Sequence, residues 1–328
     1  MSAAMSHLPV IDVAPLLGEG LDLEPVALEI RRACQDAGFF YVSGHGVGED
    51  LQGRLERLSR IFFAQDDESK MVIRMERGGR AWRGYFPVGA ELTSGRPDRK
   101  EGLYFGAELA DDHPRVRAGV VLHGRNLFPD IAGFRETVLE YMAPLTHLGH
   151  ALMRGIALSL DLESSYFHDR YTAEPLVLFR IFNYPPPPVL PEGEWGVGEH
   201  TDYGMLTILR QDHTGGLEVR TPSGWLDAPP LPGTFVCNIG DMLDRMTGGR
   251  YRSTPHRVRH ASASNRLSFP FFFDPDFDAV VHPIVSPLLD DAGQRWDGSS
   301  VHQFQGTYGD YIQAKVARVF PRLRENLL

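Results

Sequence analysis

Leu176-Val177-Leu178-Phe179-Arg180-Ile181-Phe182 opens a series of short β-rich runs that continues at 205–209, 217–220, 234–239 and 267–273. Aromatic and β-branched residues crowd each run, and Gly, Pro or Asp fills the gaps, which is the pattern of strands closed by turns. The gaps leave little room for the crossover helices of a doubly wound parallel sheet. An antiparallel sandwich or barrel is therefore expected for the second half of the chain.

Working towards the N-terminus, the period changes. Phe134, Val138, Met142, Leu145, Leu152 and Ile156 form a helical stripe between 130 and 160, which Pro144 should kink or split because it lacks an N–H. Residues 76–129 show no sustained period and read as loops with short strands, a possible lid. Leu51, Leu55, Leu58 and Phe62 predict a helix over 51–63, and Ile30, Ala33, Cys34 and Ala37 predict one over 24–37. Between them, Phe39 to Val42 read as a strand ending in the turn Ser43-Gly44-His45-Gly46. Towards the C-terminus, Tyr308, Tyr311, Ile312, Val316, Val319 and Phe320 mark a closing amphipathic helix over 308–320. The four prolines at 185–188 form a rigid connection. The fold class expected is mainly β with flanking α-helices.

The chain has 328 residues, 42% hydrophobic and 23% charged, enough for a large core and too apolar for disorder. Its length is compatible with one domain or two. Thirty-three basic against 43 acidic residues give a formal charge of -10 without a long basic run, which argues against a nucleic-acid partner. No stretch is apolar enough for a membrane partner, and acids and Pro interrupt the first thirty residues where a signal peptide needs an apolar run. Cys34 and Cys237 are too few for a disulfide framework. The expected location is cytoplasmic.

Two histidines stand out by their company. His200 and Asp202 flank Thr201 just before a strand-like run, and in extended backbone the first and third side chains share a face. His256 precedes the strand-like Arg257 to Arg259. Two imidazoles and one carboxylate suit a ferrous ion and leave coordination positions open. By itself a His-x-Asp tripeptide is a weak signal. Arg266 and Ser268, at same-face spacing beyond His256, add a guanidinium fork and a hydroxyl able to clamp a carboxylate. An ordinary ion pair is the competing reading of Arg266. His45 and His213 lie in Gly-rich turns and are read as structural, as are Asp241 (turn cap) and Arg257 (ion pair). Trp82, Arg83, Tyr85 and Phe86 either line a substrate mouth or pack on the core, and Phe271 to Phe273 read as core.

These residues resemble the isopenicillin N synthase-like branch of the iron(II) and 2-oxoglutarate-dependent oxygenases. The resemblance runs from Gly38-Phe39-Phe40-Tyr41-Val42 and Gly44-His45-Gly46, through Gly84-Tyr85 and Asp98-Arg99-Lys100-Glu101, to the stretch His200 to Thr207. It continues through Gln211-Asp212, Gly215-Gly216-Leu217, Asn238-Ile239-Gly240-Asp241, Thr247-Gly248-Gly249, Ser253 to Val258 and Arg266-Leu267-Ser268. It implies a single catalytic unit over 1–328, with an N-terminal helical and loop region to 129. A double-stranded β-helix (jelly-roll) core over 174–285 would carry the metal and 2-oxoglutarate sites, followed by a C-terminal helix within 300–328. The resemblance further implies Fe(II) held by His200, Asp202 and His256, and 2-oxoglutarate bound by Arg266 and Ser268 with Tyr184 as a third contact. O2 would be consumed to oxidise, by default hydroxylate, a small organic substrate, with release of succinate and CO2. Plant members often carry Asn two residues before the Tyr-Pro pair, where this chain has Phe182, and Asn183 is left out of the ligand set. The rivals are an isopenicillin N synthase-type oxidase needing no 2-oxoglutarate, a non-catalytic metal-binding sensor, and a zinc hydrolase on the same ligands.

Overall fold

The computed structural model describes residues 6–93, 95–186, 195–259, 262–284 and 301–320. Its strands are β1 (Val10–Asp12), β2 (Phe39–Ser43), β3 (Gly84–Phe86), β4 (Leu92–Thr93), β5 (Arg96–Pro97), β6 (Glu101–Gly106), β7 (Leu176–Tyr184), β8 (Val197–His200), β9 (Leu206–Gln211), β10 (Leu217–Thr221), β11 (Gly224–Asp227), β12 (Phe235–Ile239), β13 (His256–Val258) and β14 (Arg266–Asp274). The helices are α1 (Ala14–Leu17), α2 (Glu24–Asp36), α3 (Glu49–Phe63), α4 (Asp67–Met71), α5 (Pro114–Arg117), α6 (Phe134–Ser159), α7 (Asp241–Met246) and α8 (Tyr308–Val319).

Eight strands form one sheet in the order β1-β2-β12-β9-β14-β7-β6-β3, and four form a second in the order β11-β10-β13-β8. β1 and β2 run parallel, whereas the neighbours within the β12-β9-β14-β7-β6-β3 stretch and within the smaller sheet are antiparallel. This is a jelly-roll core with helices outside it. All five β-rich runs of the second half are strands, and β13 begins at His256 itself rather than after it. Pro187 and Pro188 of the proline run, position 285 at the end of the expected core segment, and 321–328 lie outside the described residues.

In the first half, the split of the 130–160 helix and the lid over 76–129 need correction, whereas the short strands expected in 76–129 are present as β3 to β6. Pro144 does not split the helix: α6 is one element from Phe134 to Ser159. A helix-interior proline costs about 3 kcal/mol, but each fully buried Leu or Phe contributes about 1.5–3 kcal/mol. α6 buries Phe134, Val138, Tyr141, Leu145, Leu148, Leu152 and Ile156. Its close approach to β14 depends on Gly149, where a Cβ would sit 2.3 Å from the ring of Phe273. The region 76–129 contains β6, an entirely buried strand of the large sheet. Trp82, Arg83, Tyr85 and Phe86 are buried, at most 3% exposed, and line no mouth.

Candidate active site

β8 and β13 are antiparallel neighbours with His200 directly opposite His256. The loop after β8 turns back and brings in Asp202. Asp202 Oδ1 lies 3.9 Å from His200 Nε2 and 3.8 Å from His256 Nε2, and one ligand atom from each of the three residues falls within 4.8 Å of the others. Among the described residues they are the His, Cys, Asp and Glu group able to hold a metal ion. Each imidazole is oriented through its other nitrogen: His200 Nδ1 lies 2.8 Å from the Gly198 carbonyl and His256 Nδ1 3.2 Å from that of Thr254. Those contacts fix the tautomer that leaves Nε2 as the donor to a metal. Asp202 Oδ2 accepts from Thr207 Oγ1 at 2.5 Å and Asn238 Nδ2 at 2.7 Å, so Oδ1 faces the histidines.

The electrostatics suit a cation. Burial pushes the imidazolium form of His200 down, and burial together with His200 lowers His256 to about 4. Burial opposes ionisation of Asp202, yet His256, His200 and the hydrogen bonds from Asn238 and Thr207 hold its carboxyl below the ordinary value. At neutral pH the trio is two neutral imidazoles and one carboxylate, the protonation state a divalent metal requires. The loop is tightly seated: a Cβ on Gly204 would fall 1.4 Å from Asp274 Oδ1.

The triad opens on a cavity of about 590 Å³ lined also by Tyr184, Arg266 and Ser268. Alternation along β7 turns Leu178, Arg180, Phe182 and Tyr184 inward, and along β14 it turns Arg266, Ser268, Pro270, Phe272 and Asp274 inward. Arg266 is fully buried; its Nε donates to the Gly215 carbonyl at 2.5 Å and Nη2 to Gln211 Oε1 at 3.3 Å, while Nη1 is buried without a partner. A buried guanidinium N–H on a cavity wall fits a site for an anion that completes its hydrogen bonds.

Other tempting residues fall where structural reading puts them. His45 is buried and stacks on Phe235, its ring centroid 4.1 Å away, and His213 is exposed. Asp241 opens α7 and accepts from the Tyr311 hydroxyl, and Arg257 pairs with Glu218. Asn183 points away from the cavity and donates to Glu101, which also takes hydrogen bonds from Lys70 and Tyr85. Phe271 and Phe273 are core as expected, but Phe272 lines the cavity. Thr207, Asn238, Arg180 and the α8 residues Ile312, Lys315 and Val319 had not been singled out; the even-numbered alternation from Tyr184 back to Arg180 was the available signal.

Residues 8–131 match the family described as non-haem dioxygenase in morphine synthesis N-terminal, and residues 175–275 match the 2OG-Fe(II) oxygenase superfamily. A probable iron/ascorbate oxidoreductase of Dictyostelium discoideum is 51% identical over 356 residues, covering 99% of this chain and 98% of its own. The chain belongs to the 2OG-Fe(II) oxygenase superfamily. A homoarginine-6-hydroxylase of Arabidopsis thaliana is 36% identical to this oxygenase over 337 residues, covering 98% of this chain and 99% of its own. The crystal structure of full-length Neurospora crassa T7H in complex with alpha-KG superposes with a TM-score of 0.79 at 27% identity, covering 97% of this chain and 98% of that one. The oxygenase is a 2-oxoglutarate-dependent dioxygenase using Fe(II), 2-oxoglutarate and O2. No helix among the described residues is long and apolar enough to cross a membrane.

Proposed function

We propose that the chain acts as a single catalytic unit that hydroxylates a small organic molecule, with His200, Asp202 and His256 as the Fe(II) ligands and Arg266, Ser268 and Tyr184 as the contacts to 2-oxoglutarate. The observation that carries the reading is one cavity lined both by the residues of the three convergent ligand atoms and by Arg266, whose buried Nη1 has no partner. Three protein ligands leave part of the coordination sphere for co-substrate and O2.

Bound Fe(II) with 2-oxoglutarate supplies the oxidising chemistry, in which the oxo-acid leaves as succinate and CO2 and one oxygen atom passes to the substrate. The chain's own residues bind, orient and shield. Arg266 offers its guanidinium N–H groups to the distal carboxylate, Ser268 stands two residues along the same face, and the Tyr184 ring packs against the guanidinium. Thr207 and Asn238 hold Asp202 in its ligating orientation. Phe182, Leu178 and Phe272 make the wall apolar and exclude water.

The test is O2 consumption and succinate release by the iron-loaded enzyme with and without added 2-oxoglutarate. Both should require 2-oxoglutarate and be lost in His200→Ala and Asp202→Ala proteins that remain folded. Oxygen uptake independent of 2-oxoglutarate would favour an oxidase of the synthase type, and full activity in either variant would remove the metal assignment.

A further inference from the structure

Of the arginines other than Arg266 that line the same cavity, Arg180 is the one on β7, and neither the iron ligands nor the 2-oxoglutarate contacts use it. Arg180 lies on β7, four residues before Tyr184, which is the cross-strand partner of Arg266. At about 3.3 Å per residue, its backbone is roughly 13 Å along the strand from that pair. The two guanidinium groups have different neighbours. Arg266 lies over Tyr184, 4.7 Å from the ring centroid, whereas Arg180 lies 4.0 Å from Tyr104 and 4.8 Å from Phe272. 2-Oxoglutarate spans at most about 6 Å from C1 to C5, four carbon–carbon bonds of about 1.5 Å. With its distal carboxylate on Arg266, 2-oxoglutarate is clamped without Arg180, whose ring neighbours are different.

Arg180 is a charge with unspent donors. Its side chain is 11% exposed, and its ion partner is Glu91, whose Oε1 lies 3.4 Å from Nη1. Glu91 is engaged elsewhere: its Oε2 lies 2.8 Å from Lys100 Nζ and its Oε1 accepts from Tyr104 at 2.7 Å. Arg180 Nε is buried without a partner. A guanidinium has five N–H groups, and burying it with one long hydrogen bond is unfavourable unless a ligand completes the set. Tyr104 and Phe272 flank it and restrict its plane, which favours a planar, bidentate partner. His200, Asp202 and His256 line the same cavity as Arg180, so a molecule held by Arg180 shares that cavity with the metal ligands.

We infer that Arg180 is the anchor for a carboxylate on the primary substrate, so that this oxygenase acts on a carboxylic acid held by Arg180 while 2-oxoglutarate is held by Arg266. The inference rests on the reading of the site under Proposed function. Leu178, Phe182, Phe272 and the α8 residues Ile312 and Val319 then pack against the body of the acid.

The test uses the full chain loaded with Fe(II) and 2-oxoglutarate and a panel of glycine, L-homoarginine, 1-aminocyclopropane-1-carboxylate, benzoate and phenylacetate, each beside its primary amide. Stimulated succinate release and binding by calorimetry under anaerobic conditions are both read. The free acids should bind and stimulate and their amides should not. Arg180→Met should weaken acid binding by about 10- to 100-fold, while the affinity for 2-oxoglutarate changes less than threefold. Arg180→Lys, which keeps the charge without the fork, should fall between, and it covers the case in which the Met protein does not fold. A panel in which no acid binds, amides that match their acids, or wild-type acid affinity in both variants would overturn the inference. So would an equal loss of 2-oxoglutarate affinity, which would make Arg180 a co-substrate residue. If the wild-type protein fails to bind 2-oxoglutarate at all, it is the underlying reading of the site that fails.

Discussion

Arg266 and Tyr184 are cross-strand partners on β14 and β7, with the guanidinium carbon 4.7 Å from the centre of the phenol ring. The ring restrains the plane of the guanidinium, and its hydrogen bonds to the Gly215 carbonyl and Gln211 restrain it within that plane. Nη1 is thereby fixed before any ligand arrives, and such preorganisation lowers the cost of binding a planar carboxylate.

Replacing Arg266 by Lys keeps one positive charge but removes the fork. The 2-oxoglutarate dissociation constant should rise about 10- to 100-fold, the equivalent of roughly 1.5–3 kcal/mol for a charge-assisted contact, with Fe(II) affinity changed by less than a factor of about three. Calorimetric titration of the iron-loaded protein checks this. Unchanged 2-oxoglutarate affinity would remove Arg266 from the site.

Asn238 does not reach the metal position; it donates to the Asp202 oxygen that faces away from the histidines. Asn238→Leu leaves that oxygen short of a donor and frees the carboxylate to rotate. Fe(II) or Co(II) affinity should drop about 10- to 100-fold, as expected for groups that orient ligands. Equilibrium dialysis measures it, and wild-type affinity would show that Thr207 alone is sufficient.

Asn183 offers the opposite contrast. Its amide donates to Glu101 within the buried Lys70–Glu101 pair, away from the cavity. Asn183→Leu should lower unfolding stability by about 1–3 kcal/mol and leave 2-oxoglutarate affinity unchanged. Urea unfolding and ligand titration of the same preparation read both quantities; a loss of 2-oxoglutarate affinity would return Asn183 to the ligand set.

Burial raises the Asp274 carboxyl from 3.8 to about 7, although the Tyr308 hydroxyl donates to it at 2.5 Å. The folded state therefore holds a proton that the unfolded state releases above about pH 4. The stabilisation is complete below that pH and is lost as the pH rises through 7, with an upper bound of roughly 4 kcal/mol for about three units. Between pH 5 and 8 the metal-free protein should lose stability, and Asp274→Asn, whose amide oxygen can still accept from Tyr308, should lose less. Equal losses in the two proteins would contradict the buried, protonated carboxyl.

The sequence was most legible where one periodicity ruled locally. The runs that became β7, β9, β10, β12 and β14 alternate or are continuously apolar, and α2 and α3 carry clean stripes. Short strands were expected in 76–129, but the burial of β6 in the large sheet was not legible, because Glu101 begins it and Gly102 and Gly106 interrupt its apolar side chains. Among the described residues, the charge of Glu101 is neutralised by Lys70, 31 positions away. Pro144 was misleading for a related reason: its local cost is visible in the sequence, while the burial along α6 that outweighs it is tertiary. His200 and Asp202 could be paired by spacing, and His256 stood out beside a strand-like run, a weak signal that the resemblance strengthened. Their convergence depends on the β8–β13 register, which no local pattern encodes. Arg180, placed by alternation on the same face as Tyr184, was legible in principle, but its significance depends on Glu91 being committed to Lys100 and Tyr104.

The most direct test of the site is anaerobic titration of Fe(II) and then 2-oxoglutarate into the metal-free protein, following the weak visible charge-transfer absorption of an iron-bound 2-oxo acid. The account predicts that the band saturates with one Fe(II) and one 2-oxoglutarate per chain, is absent in His200→Ala, and needs far more 2-oxoglutarate in Arg266→Ala. Stoichiometric Fe(II) binding with no band at saturating 2-oxoglutarate would contradict it.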